Sequence, residues 1–300
     1  MKDCLRSLRH RALIYSAALT GGTRGHMERR TVFFVSDQTG VTAETMGHSL
    51  LTQFDGLAFR QVTLPFISTV DKAEEAVRKI NATAEIEGLR PVVFSTLVQE
   101  DMREIVKQAN GLFLDFFDAF LAPLEQELKV KSSRAQGKAH GMVDLGAYTL
   151  RINATNFALA NDDGAITRDY DRADLILVGV SRSGKTPTCL YMALQYGIFA
   201  ANYPFADEEF ETGRLPQALV KYQKKLYGLT IVPERLQQIR NERRPNSRYA
   251  SPTQVAYELR AATGIFERYD IPYINTTECS IEEIASRILD RTGLERRLRP

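Results

Sequence analysis

Apolar and polar positions along the chain fall into two runs of alternating strand and helix patterns, with a polar connector between them. Residues 31–36 (TVFFVS) form a β-branched and aromatic run of the kind that becomes a buried strand, and the turn DQTG leads into a helical pattern over 42–54. Further strands are predicted at 59–64 and 91–95, with charged helices over 71–87 and 99–110. Strands that alternate with helices predict a parallel sheet. Residues 111–117 are again apolar, and Pro123 is expected to open a helix that fades near Lys129. Residues 129–146 hold three glycines and few large apolar side chains, as a linker or an ordered functional loop would. A helix over 147–160 then ends at Asn161-Asp162-Asp163-Gly164, and the alternation restarts at Ala173. The expected organisation is a leader or mis-assigned start over 1–26, a smaller α/β domain over 27–130, a connector over 131–146 and a larger α/β domain over 147–300.

Charge changes the picture of the first 26 residues. They carry five cations and one acid, so the remaining 34 cations and 36 acids leave a body of net −2 although the chain as a whole is +2. A body with that balance has no bulk attraction for nucleic acid. The basic start followed by an apolar run over 12–19 has the outline of a targeting segment, yet the run is too short to span a bilayer. An upstream start codon is the alternative, because Met27 directly precedes the first strand. Three scattered cysteines, Cys4, Cys189 and Cys279, build no disulfide framework or metal-ligand spacing and there are only four histidines, so a reducing compartment without structural zinc is expected. The protein is expected to be cytoplasmic, with no membrane partner.

The chemistry concentrates after the apolar strand at 175–178 (LILV). Gly179, Val180, Ser181, Arg182, Ser183, Gly184, Lys185 and Thr186 satisfy G-x-x-x-x-G-K-[ST] in the strand-loop-helix setting that the motif requires. Glycines let the backbone wrap so that consecutive N–H groups point at phosphate oxygens, and the following helix aims its positive end at the same place. Lys185 is expected to reach the β-phosphate or the transferring phosphate, and Thr186 to place its hydroxyl on Mg²⁺. Pro187 suits the first helical turn. Arg182 is either an extra phosphate donor or solvent-facing, and Cys189 reads as a small packed hydrophobe. The fold class expected here is a P-loop kinase-like parallel sheet.

Other candidates are weaker. An Arg-rich segment over 240–248 suggests a lid whose Arg244 and Arg248 close on phosphates, with a solvated helix end as the alternative. No apolar strand ends in an Asp that would hold Mg²⁺, so Asp162 and Asp163 stand as substitutes for metal binding or proton acceptance, or simply form a turn. Residues 36–44, rich in hydroxyls before a helix, offer a second anion site or ordinary capping. His48 reads as packed. His140, in the connector, is the histidine with a candidate role as phosphate contact or proton shuttle.

Taken together, the stretches 35–44, His140-Gly141, ALANDDG at 158–164, 179–188, AANYP at 200–204 and NSRYA at 246–250 resemble the bacterial phosphoenolpyruvate synthase regulatory proteins, relatives of the plant pyruvate, phosphate dikinase regulatory protein. The similarity spans about residues 31–294. It implies a bifunctional Ser/Thr kinase and phosphorylase: a phosphoryl group moves from ADP to a threonine of the target, releasing AMP, and inorganic phosphate later removes it as pyrophosphate. It implies catalytic roles for Lys185, Asp163 and His140, nucleotide contacts from 179–186, and phosphoenolpyruvate synthase as partner. Asn161 departs from the pattern, standing where relatives carry histidine. The same activities on pyruvate, phosphate dikinase, an ATP-dependent small-molecule kinase and a nucleotide sensor without chemistry are the alternatives. A homo-oligomer is left open.

Overall fold

The computed structural model describes residues 29–135, 145–164 and 167–298. The chain divides into two compact units, Met1–Gly141 and Met142–Pro300. The leader over 1–26 and His140 lie outside the described residues. Among the described residues no helix is long and apolar enough to cross a membrane.

The first unit runs β1 (Arg30–Val35), α1 (Val41–Leu51), β2 (Phe59–Leu64), α2 (Val70–Glu87), β3 (Val92–Ser95), α3 (Glu100–Lys107), β4 (Leu112–Asp115) and α4 (Phe116–Leu128). Its four strands are parallel in the order β2-β1-β3-β4. Central strands read as unbroken apolar runs because helices cover both faces. Phe33, Val35 and Val93 pack against Ala76, Ile80 and Val106 on one side. Val32, Phe34 and Phe94 pack against Ala43, Leu51 and Phe116 on the other.

Two expectations are corrected here. The helix assigned to Pro123 already starts at Phe116, because Asp115 caps it by accepting from the Asp118 amide at 2.8 Å. Pro123 sits inside that helix, and the carbonyl it leaves free belongs to the exposed Ala119, where water can serve it. His48 is exposed rather than packed, since Ala43, Gly47 and Leu51 occupy the inward positions of α1.

The second unit opens with α5 (Leu145–Ala160) and continues β5 (Leu175–Gly179), α6 (Lys185–Tyr196), β6 (Ala200–Pro204), α7 (Asp207–Thr212), α8 (Gln217–Val220), β7 (Leu226–Thr230), α9 (Pro233–Arg243), α10 (Pro252–Arg268), β8 (Tyr273–Asn275) and α11 (Ile281–Thr292). Its strands are again parallel, in the order β6-β5-β7-β8. The Ser280 side chain caps α11 in a reciprocal box with Glu283. The fold is α/β and P-loop kinase-like. In each sheet the first strand has the second on one side and the third on the other, so successive connections leave in opposite directions. The crevice at the carboxyl ends of such strands is where open α/β sheets hold their ligands.

Candidate functional site

That crevice in the second unit is built by the loop after β5. Every residue of β5 is buried, so the loop rises from a rigid base. Gly179 has φ 140°, and a side chain there would put Cβ 2.4 Å from the Leu229 carbonyl oxygen, so the close approach of β7 demands glycine. Gly184 at φ 92° turns the chain into α6, whose first residue is Lys185. Arg182 adopts φ 75° without being glycine. Among the described residues, the amides of Ser181, Arg182, Ser183 and Gly184 donate to no protein acceptor. A row of unpartnered N–H groups at the positive end of a helix is an anion-binding arrangement. Ser181, Arg182 and Gly184 border a cavity of about 280 Å³ whose lining also includes Asp163, Lys185 and Thr186.

Lys185 is only 4% exposed, and its ammonium donates to the Val180 carbonyl at 2.8 Å. Burial pushes its pKa down to about 8, opposed by the charges of Asp163 and Asp162 and reinforced by that of Arg240. The cation is held on its own loop within reach of the cavity. A phosphate oxygen is a stronger acceptor for it than a carbonyl. Cys189 is buried one turn on, its thiol pushed up by burial and donating to the Ala201 carbonyl at 3.4 Å, so it packs rather than reacts.

The Asp162-Asp163 turn closes the other side. Asp162 accepts from the Thr186 hydroxyl at 2.8 Å and from the Asn202 amide nitrogen. Asn202, fully buried on β6, also accepts from the Asp163 backbone amide at 3.1 Å, and its carbonyl takes the Gly164 amide. Asn202 thereby fixes the turn so that Asp162 faces Thr186 while Asp163, at φ 53°, lies exposed on the cavity wall. The Thr186 hydroxyl and Asp162 carboxylate supply hard oxygens of the sort Mg²⁺ takes beside phosphate oxygens and water, so these residues fit that ion. Among the described residues no group of three or more His, Cys, Asp or Glu side chains forms a metal cage. Asn161 is buried and bonds back to the Phe157 carbonyl at 2.9 Å, out of the cavity.

The two lid candidates, Arg244 and Arg248, are exposed just beyond α9. Arg240, from the same basic run, is instead fully buried, paired with Glu258 at 2.7 Å and stacked on Tyr249 with its guanidinium 4.1 Å from the ring centroid. Sequence reasoning missed Asn202, Arg240 and Tyr249 as parts of the site. An asparagine inside the apolar strand AANYP was the available signal for the first. Arg240 lies in the Arg-rich segment and Tyr249 in the NSRYA stretch, but neither pattern told that they pair behind the loop, because their partners are brought together only by folding.

A profile of the kinase/pyrophosphorylase family matches residues 32–289. The chain is 54% identical over 270 residues to a protein of Alkalilimnicola ehrlichii, covering 90% of this chain and 98% of that one. It is 55% identical over 271 residues to proteins of Stutzerimonas stutzeri and Pseudomonas aeruginosa, covering 90% of this chain and 100% and 99% of theirs. All three relatives are named as phosphoenolpyruvate synthase regulatory proteins. With the loop after β5, its lysine and the acidic turn lying inside the matched span, the chain belongs to the kinase/pyrophosphorylase family.

Proposed function

We propose that this protein regulates phosphoenolpyruvate synthase by moving a phosphoryl group on and off a threonine of that enzyme. The observation that carries the reading is the meeting of Lys185, Thr186, Asp162 and Asp163 around the free amides of one loop. In the inactivating direction the loop amides and Lys185 hold the phosphates of ADP. Asp163 accepts the proton of the incoming threonine hydroxyl as its oxygen attacks the β-phosphorus in line, the bond to the bridging oxygen breaks and AMP leaves. In the activating direction an oxygen of inorganic phosphate attacks the phosphothreonine phosphorus and the bond from phosphorus to the threonine oxygen breaks. Asp163 in its protonated form gives that departing oxygen its proton, and the pyrophosphate so formed is released.

Charge drives both steps, because the phosphoryl group in flight carries its charge on the equatorial oxygens. Lys185 neutralises it from the loop side. Thr186 and Asp162 would hold Mg²⁺, which when bound supplies further neutralisation. The names of the relatives favour the synthase over pyruvate, phosphate dikinase as target, and ADP as donor follows from the resemblance in sequence. Arg244 and Arg248 are surface cations available to a closing lid, and His140 is a candidate proton shuttle.

The test uses ADP labelled at the β-phosphate, in parallel with ATP labelled at the γ-phosphate, on purified phosphoenolpyruvate synthase whose catalytic histidine is phosphorylated. Label on a threonine from ADP, released as pyrophosphate when inorganic phosphate is added, is the expected result. Transfer from ATP alone would replace the reading with a conventional kinase, and transfer from neither would replace it with the dikinase target or with nucleotide sensing.

A further inference from the structure

Arg240 is buried, charged and unused by the chemistry above. A buried ion pair is poor evidence for stability, since desolvation consumes much of its attraction. Its contacts point elsewhere. One guanidinium nitrogen, Nη2, donates to Glu258 at 2.7 Å and to the Ser181 carbonyl at 3.1 Å, and Nη1 donates to the Tyr249 carbonyl at 3.1 Å. The Tyr249 hydroxyl meets the Ser181 hydroxyl at 2.9 Å. Two residues further along the loop, the Thr276 hydroxyl shares its proton between the Ser183 carbonyl at 3.2 Å and the Thr230 carbonyl at 3.1 Å.

No cis peptide bond occurs among the described residues, and in a trans peptide the N–H points opposite to its C=O. Whatever pulls the Ser181 carbonyl into the protein therefore turns the Arg182 amide outward, and the Thr276 contact does the same for the Gly184 amide. Arg182 also sits at φ 75°, a conformation a non-glycine residue leaves unless something holds it.

We infer that Arg240 is a positioning residue for the phosphate loop, fixing the Ser181 carbonyl from behind so that the Arg182 amide faces the anion cavity, and linking that orientation to the turn at Tyr249. The inference rests on reading the loop as a polyphosphate site. Because Tyr249 follows directly on Arg248, a change in the 244–249 segment reaches the loop through two side chains, Arg240 and Tyr249 itself.

Calorimetric titration with inorganic pyrophosphate tests it, on the full chain and on two variants. Arg240→Met combined with Glu258→Gln removes both charges at similar volume and avoids stranding a buried carboxylate. Tyr249→Phe removes only the hydroxyl that meets Ser181. The double variant is expected to bind pyrophosphate about tenfold more weakly, and Tyr249→Phe about threefold, the losses that go with a charge-assisted and a neutral hydrogen bond. A purely structural role would instead lower the fraction of binding-competent molecules and leave the affinity of the remainder unchanged, and that result overturns the inference. If the double variant does not fold, unchanged affinity in Tyr249→Phe overturns it alone and the threefold loss sustains it. Absence of pyrophosphate binding by the unaltered protein would overturn the inference and the loop reading together. Intact binding without transfer from ADP falls on the proposed function only.

Discussion

The two units use the same construction around a first strand and differ in what they mount on it. Both sheets place the first strand between the second and third, with a loop that enters a helix through a left-handed glycine, Gly40 at φ 87° and Gly184 at φ 92°. After that glycine the first unit reads Val41-Thr42 and the second Lys185-Thr186. Val41 is 55% exposed, whereas Lys185 is 4% exposed and flanked by an acidic turn. In the first unit the loop residues Ser36, Asp37 and Gln38 border a cavity of about 250 Å³, but Asp37, an acid buried in the loop, stands where the second unit has Ser181. The placement of a loop and helix N-terminus at this strand thus follows from topology and a left-handed glycine. The chemistry follows from a few side chains.

The largest expected effect separates the loops by charge. Lys185→Met should lower phosphoryl transfer from labelled ADP by about 10³-fold, the scale on which a preorganised charge at the transferring group acts. Adding Val41→Lys to that variant should restore nothing, because among the described residues of the first unit no acid bonds Thr42 as Asp162 bonds Thr186. Recovery of transfer in the double variant would mean that the lysine alone distinguishes the two loops.

Asp163→Asn should cost about 10²-fold in the rate of transfer to threonine, toward the lower end for loss of a general base. Asp162→Asn should act differently, raising the Mg²⁺ concentration needed for half-maximal rate, since that carboxylate faces Thr186 rather than the open cavity. Equal and Mg²⁺-independent losses in both variants would erase the division of labour between the two acids.

Much of this comparison was legible before folding. Strand-loop-helix order and the lysine motif report on neighbours in sequence, so the parallel α/β architecture and residues 179–186 could be read directly. The acidic turn was ambiguous because Asp-Asp-Gly is also an ordinary turn, and its relation to Thr186 is made by Asn202 from β6. Arg240 read as one cation of an Arg-rich segment, either a lid or a solvated helix end. Its burial depends on Glu258 from α10 and Tyr249 from the following turn, contacts that no periodicity encodes. Pro123 misled for the opposite reason: a local rule placed it at a helix start, while Asp115 eight residues earlier had already supplied the cap.

Lys185 also makes the comparison pH-dependent. Its pKa in the folded protein lies near 8 against an ordinary 10.5, so between those values the folded protein has released a proton that the unfolded chain still holds. Stability of the ligand-free protein should therefore rise with pH across that window, and Lys185→Met should remove the rise. Pyrophosphate affinity should move the other way, falling by up to about tenfold per pH unit above pH 8 as the cation discharges. Calorimetry between pH 7 and 10 reads both; an affinity independent of pH would mean that Lys185 stays charged in its buried position.

The smallest effect tests whether the units answer separately to packing. In the first, Gly47 on α1 faces the Phe34 ring, and a Cβ there would lie 2.4 Å from Phe34 Cε1 and 2.8 Å from Phe94 Cδ2. Those rings stack on each other with centroids 5.9 Å apart, and Phe94 stacks on Phe116 at 5.3 Å, so neither can move without disturbing the face that holds α1 and α4. Gly47→Ala should cost about 1–3 kcal/mol, the range for overpacking a filled core. Gly228→Ala is its counterpart in the second unit, where the new Cβ would meet Phe266 Cζ and Tyr273 Cβ at 2.8 Å. Hydrogen exchange resolved along the chain should show the loss of protection concentrated in β1, β3 and α1 for Gly47→Ala, and in β7, β8 and α10 for Gly228→Ala. Loss spread evenly over both units in either variant would mean that they unfold as one cooperative body.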